Sequence, residues 1–542
     1  MSEAGAKAEL VSEQVVDGGE AGGTPAPVVA TQPAPDAAME AVTSILGGVA
    51  RELDVAKSQR VFTNRNLKMA DVEVIGFDMD YTLAIYQQAE LENLSIECTL
   101  QKLVGRGYPP EILKLDYRPE WAIRGLVVDR KHGNVFKMDR HGHVGRCFHG
   151  HTELPSDKRR ELYLRERVRT SLPPYAWIDT LFALPEVVMY CALVEYQEKA
   201  SAGPVDYDRL WQDIREAIDE AHRDESMKRR IKADIARYIV KDPYLAASLH
   251  KFRSSGKRLF LLTNSMWDYT DALMTYLLDG DLPAYPSWRG YFDIVIVGGA
   301  KPKFFTDRDP FLELDAAGAS VGPPKGQLQR GRIYQGGNIV DFEKLAGAGG
   351  DKVLYVGDHI YGDILRAKKS SVWRTCMIVQ ELEQELTTVA QHREEIARLA
   401  ELDRRGQRLE SELNYQQTLL KTLQKLAESD APRLPGAPHV VLAPADLEAA
   451  KKAAKASLDA VRSTLRETLA EFDTIALRVD QAFNRRWGAL FKEGNENSRF
   501  GEQVEDYACL YTSRVSNFLA YSPLQYFRAP RDHMPHEYST RD

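Results

Sequence analysis

Several features that would settle a class at once are missing. No apolar run is long enough to span a bilayer, so no membrane helix is expected. There is no basic excess. The 71 Lys and Arg stand against 79 Asp and Glu, for a net charge of −8. Such a balance sets up no global field for nucleic acid or an anionic membrane, and neither is expected as a partner. Cysteine is scarce. Cys98, Cys147, Cys191, Cys376 and Cys509 lie far apart with no C-x-x-C, which argues against a zinc ribbon and fits a reducing compartment. The opening MSEAGAKAELVSEQ has neither the basic nor the apolar region of a secretory signal, so the expected location is cytoplasmic. The G-x-x-x-x-G-K-[ST] phosphate loop is absent, because SSGKRL lacks both the first glycine and the hydroxyl residue. H-E-x-x-H is absent too, since PHEYST does not match it.

What is present begins with length. A chain of 542 residues can hold more than one domain. Residues 1–38, rich in Ala, Gly, Pro and acids, read as a disordered tail, followed by a short helix through AMEAVTSILGGVARELDVA. Four short apolar runs then stand out: VEVIGF before Asp78, RLFLLT ending at Thr263, FDIVIVGG before Lys301, and KVLYVGD ending at Asp358. Each is rich in β-branched or large apolar residues and stops at a polar residue or a glycine. That is the pattern of buried parallel strands with function at their C-terminal ends. Helical patterns such as WDYTDALMTYLLDG and YGDILRAKKS lie between them, so the expected class is an open α/β sheet. The gap between Asp80 and the second run is far beyond an ordinary crossover and implies an inserted domain. The expected division is a core over 39–86 and 250–380, a cap over 87–249, a long antiparallel helical hairpin over 381–492, and a closing segment, 493–542, docked on the core.

An Asp-x-Asp pair alone is weak evidence. Asp78 and Asp80 differ from the other such pairs because they follow an apolar strand, where unpaired carboxylates are costly to bury. Taken alone, VIGFDMDYTLAIY allows a turn, a metal site or a nucleophile. The four strand ends together offer what phosphoryl transfer needs. Asp78 can attack phosphorus, and Asp80 can protonate the leaving oxygen and then activate water. Thr263 can hold phosphate oxygens, and Lys301 can offset charge. Asp358, with Asp363, can complete an oxygen-ligand site with Asp78 that suits Mg²⁺. A helix N-terminal acid is an equally good reading of Asp363.

DMDYT, TNS, the lysine of GGAKPKFF and GDHIYGDI stand in the order of the four haloacid-dehalogenase (HAD) superfamily motifs. RVFTNRNLKMADVEVIGFDMDYTLAIY, TNSMWDYTDALMTYLL, YVGDHIYGDILRAKK and FRAPRDHMPHE further resemble the cytosolic purine 5′-nucleotidase family, which hydrolyses IMP and GMP. The resemblance implies a HAD-like Rossmannoid parallel sheet with a large α+β cap between the first two motifs. It implies an Mg²⁺ site of Asp78, Asp80, Asp358 and Asp363. A purine nucleoside monophosphate is the implied substrate, with Thr82, Asn264 and Ser265 beside the phosphate. Arg215, Asp219, His222 and Lys228 match the substrate helix, in REAIDEAHRDESMK. His151 and Thr152 stand where the family has Phe-Asn, and Arg223 where an aromatic is usual. Tyr361, Lys369, Gln503 and Tyr507 match parts of an effector-nucleotide site, in which Cys509 replaces an acid and Asp506 an arginine. Phosphotransfer to a nucleoside and a homo-oligomer are also implied. The alternatives are a HAD phosphatase for another small phosphomonoester, and a catalytically silent interaction protein working through the hairpin.

His132, His141, His143, His149 and His151 crowd one stretch of the cap and invite a zinc reading. KHGN and RHGH read better as hairpin turns, with glycine supplying the tight conformation.

Overall fold

The computed structural model describes residues 55–531 apart from 165–167, 171, 201–202, 368–370, 430–432, 435–436 and 442. The tail over 1–38, nearly all of the helix expected after it, Lys369 and residues 532–542 of the closing segment lie outside the described residues.

All four apolar runs are strands: Val74–Phe77, Arg258–Leu262, Ile294–Val297 and Val353–Gly357. They are adjacent in one ten-stranded sheet, in the order Val353, Val74, Arg258, Ile294. Every pair among them is parallel, and the parallel run extends to Ile333–Gly336 on one side and to Arg374–Ile378 and Leu510–Thr512 on the other. The Val74 and Val353 strands are buried at every position, as a sheet covered on both faces requires. Gly76 has its reason in the neighbouring strand: a Cβ there would sit 2.0 Å from the Phe260 ring.

From Val74 the chain steps one way across the sheet, through Arg258 and Ile294 to Ile333. It then returns to the other side at Val353. The strand order therefore reverses between Val74–Phe77 and Val353–Gly357. Outside their carboxyl ends lies the crevice where open α/β sheets bind ligands. Asp78 and Asp358 are the first residues past these two strands.

Between the first two motif strands the chain builds a separate five-stranded antiparallel sheet. Its order is Thr152–Glu153, Val144–His149, Asn134–Met138, Leu126–Asp129, Tyr175–Ile178. The two expected turns are present, with Gly133 at φ +69° and Gly142 at φ +87°. Helices Leu184–Ala200, Tyr207–Arg223 and Ser226–Ala233 complete this inserted cap. Its two connections to the core pair as strands: Ile85–Tyr86 leaving, Ile239–Val240 returning.

The helices after residue 380 are segmented differently from the sequence expectation. Glu381–Gln391 is a separate helix that ends at His392, and the long arms are Arg393–Ala427 and Pro444–Phe483. The second arm stops at Phe483, short of the expected 492, because Asn484 turns extended and its side chain accepts from the Arg486 and Trp487 amides. Buried positions on that arm, Leu447, Ala454, Leu458, Leu465, Thr468, Ile475 and Val479, recur at steps of seven, four or three, giving one seam against its partner arm. Among the described residues no helix is long and apolar enough to cross a membrane.

Candidate active site

Asp78, Asp358 and Asp363 are buried, and each offers a carboxylate oxygen within 4.8 Å of the others'. Asp363 reaches the cluster from the short π-type helix Ile360–Leu365. Gly357 makes room for it, since a Cβ there would meet Asp363 Oδ2 at 2.6 Å. Gly357→Ala should accordingly lose about 1–3 kcal/mol by overpacking and displace Asp363. Chemical denaturation checks this, and a variant as stable as the parent would show that Asp363 moves aside freely.

Lys301 Nζ contacts Asp78 Oδ1 at 2.7 Å and Asp363 Oδ1 at 2.8 Å, and donates to the Tyr355 hydroxyl at 3.0 Å. The preceding residue, Ala300, has φ +51°, a conformation unusual for a non-glycine residue. Asn264 holds this loop on both sides of one residue: its amide donates to the Lys301 carbonyl at 3.0 Å and its oxygen accepts from the Lys301 amide at 2.6 Å. Asn264 is thus engaged with the main chain of Lys301, a role that its expected substrate contact did not include.

Burial pushes the Asp78 carboxyl up to about 7, with Asp363 and Asp80 adding to the rise against the pull of Lys301. Burial raises Asp358 well above the usual carboxylate range, helped by Asp363 and Asp78. Burial alone would lower Lys301, but Asp363 and Asp78 hold it well above its ordinary value. Three buried acids thus face one lysine ammonium, and Asp358 Oδ2 is buried with no hydrogen-bond partner. An all-oxygen donor set with surplus negative charge and an unpartnered oxygen fits a hard divalent cation such as Mg²⁺. Asp80 does not join the set through its carboxylate. That group turns away, its Oδ1 accepting from the Tyr86 hydroxyl at 2.6 Å and its Oδ2 from the Ser265 hydroxyl at 2.8 Å. The local reason is the tight turn after Asp78, where Tyr81 takes φ +55° and Asp80 bridges to Ala84, so alternate side chains diverge.

Two cavities meet here. One, of about 180 Å³, is lined by Asp78, Lys301, Asp358, His359 and Asp363. The other, of about 300 Å³, is lined by His222, Lys228, Met227, Tyr86, Tyr269 and Ser265. Asp80, Phe182 and Asn264 line both. Thr263 is fully buried and lines neither cavity, with its hydroxyl accepting from the Ser265 amide at 3.1 Å. Thr82 is buried too, but its hydroxyl has no partner and it lines neither cavity.

The substrate-helix residues are only partly brought together. His222 and Lys228 face the larger cavity, and Phe182 meets His222 edge-on at 6.0 Å. Arg215 and Asp219 do not line it. Arg215 is tied to buried Glu186 at 2.5 Å and lies 3.6 Å from Asp219. Burial pushes Glu186 up to about 7 even against Arg215. His151 and Thr152 stand apart from both cavities. His151 packs edge-on against Trp121 at 5.4 Å and lies 3.4 Å from Glu195, and Thr152 is exposed on the cap's edge strand. A base-stacking place at His151 is therefore not formed here, because the cap sheet turns that ring into its own aromatic packing. His132 and His143 sit in the turns, where His132 meets Asp129 at 2.7 Å and His143 meets Asp139 at 3.2 Å, while His149 ends the strand Val144–His149 and lies 2.7 Å from Glu198. Among the described residues no histidine or cysteine joins a metal-binding group. Tyr361 lines the smaller cavity, while Gln503 and Tyr507 lie on the helix Arg499–Tyr507, which packs against Ile360 and Ile364.

Sequence reading missed Arg124. It is fully buried, bidentate on Glu381 at 2.8 and 2.5 Å, and donates to the Asp358 carbonyl at 2.9 Å. Nothing in IRGLVVD marks it, because its partners are more than 230 residues away.

This chain is 28% identical over 494 residues, 88% of its own length and 80% of the relative's, to the rat protein described as 5′-nucleotidase domain-containing protein 2. Similar solved structures include a predicted phosphoglycolate phosphatase from Haemophilus somnus, at 13% identity and a TM-score of 0.25, and a 2-haloacid dehalogenase from Pseudomonas syringae, at 15% and 0.21. Each match covers 57% of this chain and 86% of that one. The HAD-like fold itself rests on the strand order and on the four motifs at the strand ends. Residues 61–539 match the 5′ nucleotidase family. With that match over most of its length, and with its four motifs gathered at one crevice, the chain belongs to the 5′ nucleotidase family and is a phosphoric monoester hydrolase.

Proposed function

We propose that this chain removes the 5′-phosphate from purine nucleoside monophosphates, IMP and GMP foremost, in the cytoplasm and with Mg²⁺. The observation that carries the reading is the pair of joined cavities. The small acidic one fits a phosphoryl group, and the larger one, with Phe182, His222 and Lys228, fits a nucleoside. Asp78 attacks phosphorus while the bond to the nucleoside oxygen breaks, and that oxygen takes its proton from Asp80. Asp80 then takes a proton from water, which attacks phosphorus and frees Asp78. A nucleoside in place of that water would make the same step a phosphotransfer. Lys301 holds charge on the phosphoryl oxygens, beside the Thr263 peptide. Asp78, Asp358 and Asp363 would hold Mg²⁺, which when bound neutralises phosphate charge.

A panel of IMP, GMP, AMP, pyrimidine monophosphates and sugar phosphates, with and without Mg²⁺, tests the reading. IMP and GMP should lead in kcat/KM. A preference for sugar phosphates overturns the substrate, and no Mg²⁺-dependent release of phosphate from any of them would favour the interaction protein. Saturating Mg²⁺ should also raise Tm, because a ligand at a hundred times its Kd stabilises the folded state by about 2.7 kcal/mol. Asp358→Asn should remove that rise, and a rise of the same size in the variant would place the cation elsewhere. A nucleotide effector near Tyr361, Gln503 and Tyr507, and a homo-oligomer, belong to the same reading. Adding ATP to the panel and measuring mass by sedimentation test these two.

A further inference from the structure

Asp80 is gripped on both oxygens by residues outside its own motif. The Tyr86 hydroxyl donates to Oδ1 at 2.6 Å, and the Ser265 hydroxyl donates to Oδ2 at 2.8 Å. Behind Tyr86 a second hydroxyl, that of Tyr269, lies 3.0 Å away. All three donors are buried. Tyr86 is itself wedged between rings, with Tyr81 at 4.8 Å and Phe182 at 5.9 Å. Its backbone is fixed as well, by the strand pairing of Ile85–Tyr86 with Ile239–Val240. Ser265 is held from the other side by its amide on the Thr263 hydroxyl.

A carboxyl on a short side chain has two χ angles, and both are free unless something holds its head. An acid that must meet a leaving oxygen gains from being held in one plane, since misplacement near the reacting atoms lowers the rate steeply. A hydroxyl donor on each oxygen supplies that hold, and the two bonds become charge-assisted as the proton leaves Asp80. Asp80 lines both cavities, so the carboxyl held in this way borders the space a leaving group would occupy.

We propose that Tyr86 and Ser265 are positioning residues that lock the Asp80 carboxyl toward the leaving-group oxygen, with Tyr269 steadying Tyr86. The inference rests on Asp80 being the proton donor in the reading above. In the first half-reaction the Asp78 oxygen bonds to phosphorus, the bond from phosphorus to the nucleoside oxygen breaks, and the Asp80 proton passes to that oxygen. The two hydroxyls exchange no proton with substrate. Because Tyr86 lies on the strand that leaves the core for the cap, this grip also ties the acid's aim to the seating of the cap.

The test uses leaving groups that differ in their need for a proton. A nucleoside alkoxide needs one, whereas p-nitrophenolate leaves without it. Wild type, Y86F, S265A and D80N are compared on IMP turnover and on the pre-steady-state burst of p-nitrophenolate. Y86F and S265A should each lower kcat for IMP about tenfold, the worth of one charge-assisted hydrogen bond, with KM changed less than about twofold. The burst rate should fall much less than the IMP rate, since p-nitrophenolate needs no proton. Placed on D80N, Y86F should cost nothing further, since its target is gone. Unchanged kcat for IMP in both single variants would overturn the proposal. So would an equal loss on IMP and on the burst, or a full additional loss in D80N/Y86F. D80N that keeps the wild-type IMP rate would overturn the acid assignment itself, and the inference with it.

Discussion

Asp78→Asn should lower turnover by about 10⁴-fold or more while leaving the fold intact. Asparagine keeps the shape and removes the attacking oxygen. It also removes one of three buried carboxylates that crowd each other, and Lys301 keeps Asp363 as a partner at 2.8 Å. The variant should thus unfold within about 3 °C of the parent, because the lost pair with Lys301 is offset by relief among the acids. Phosphate release on the best nucleotide, followed together with thermal unfolding, checks both halves. Substantial turnover by the variant would remove the covalent mechanism. A collapse in Tm would make the loss of activity uninformative, and Asp78→Glu, which restores charge in the wrong place, would then be the comparison.

Arg124→Met should cost about 1.5–3 kcal/mol of stability, the range for losing hydrogen bonds made by a charged group, because the Glu381 left behind is partly open to water. The orphaned group is Glu381, and the Asp358 carbonyl loses its donor as well. Denaturant unfolding measures the loss. The double variant Arg124→Met/Glu381→Leu should recover much of it, because an apolar replacement of both partners leaves no unpaired charge. No recovery would mean that the carbonyl contact, or the cation's place over the Phe500 ring at 5.0 Å, carries the effect. Mg²⁺-dependent stabilisation should weaken in Arg124→Met even where the protein remains folded, because the peptide that carries Asp358 is freed.

The core was legible because its signals are local. Each motif strand is a short apolar run, and its functional residue is the next polar one along the chain. Asp78, Thr263, Lys301 and Asp358 needed no knowledge of distant contacts to be singled out. The parallel α/β sheet followed from the same runs, since strands buried on both faces show no alternation and are covered by helices, while its HAD-like character came from the resemblance of the four motifs. The cap was less legible. Its hairpins were visible through Gly133 and Gly142, yet the place of His151 depended on Trp121, Phe148 and Trp487 converging from three parts of the chain. The hairpin's period was visible, but the break at His392 and the stop at Phe483 were not. The stop is set by Asn484, whose side chain accepts from the Arg486 and Trp487 amides, and a helical period alone does not record that.

By itself, then, the sequence determined the strand ends, their order, and the residue types that put phosphoryl chemistry on them, because that information sits within a few residues of each motif. Only the tertiary structure decided how those ends are used. It set the reversal of strand order that brings Asp78 beside Asp358, and the turn that points the Asp80 carboxylate away from the acidic cluster and onto Tyr86 and Ser265. It also set the buried Arg124 that reaches from the cap to the fourth motif. Apart from the Asp80–Tyr86 bond, which spans only six residues, these hydrogen bonds and ion pairs join groups 185 to 257 residues apart, and such contacts leave no periodicity and no spacing in the chain.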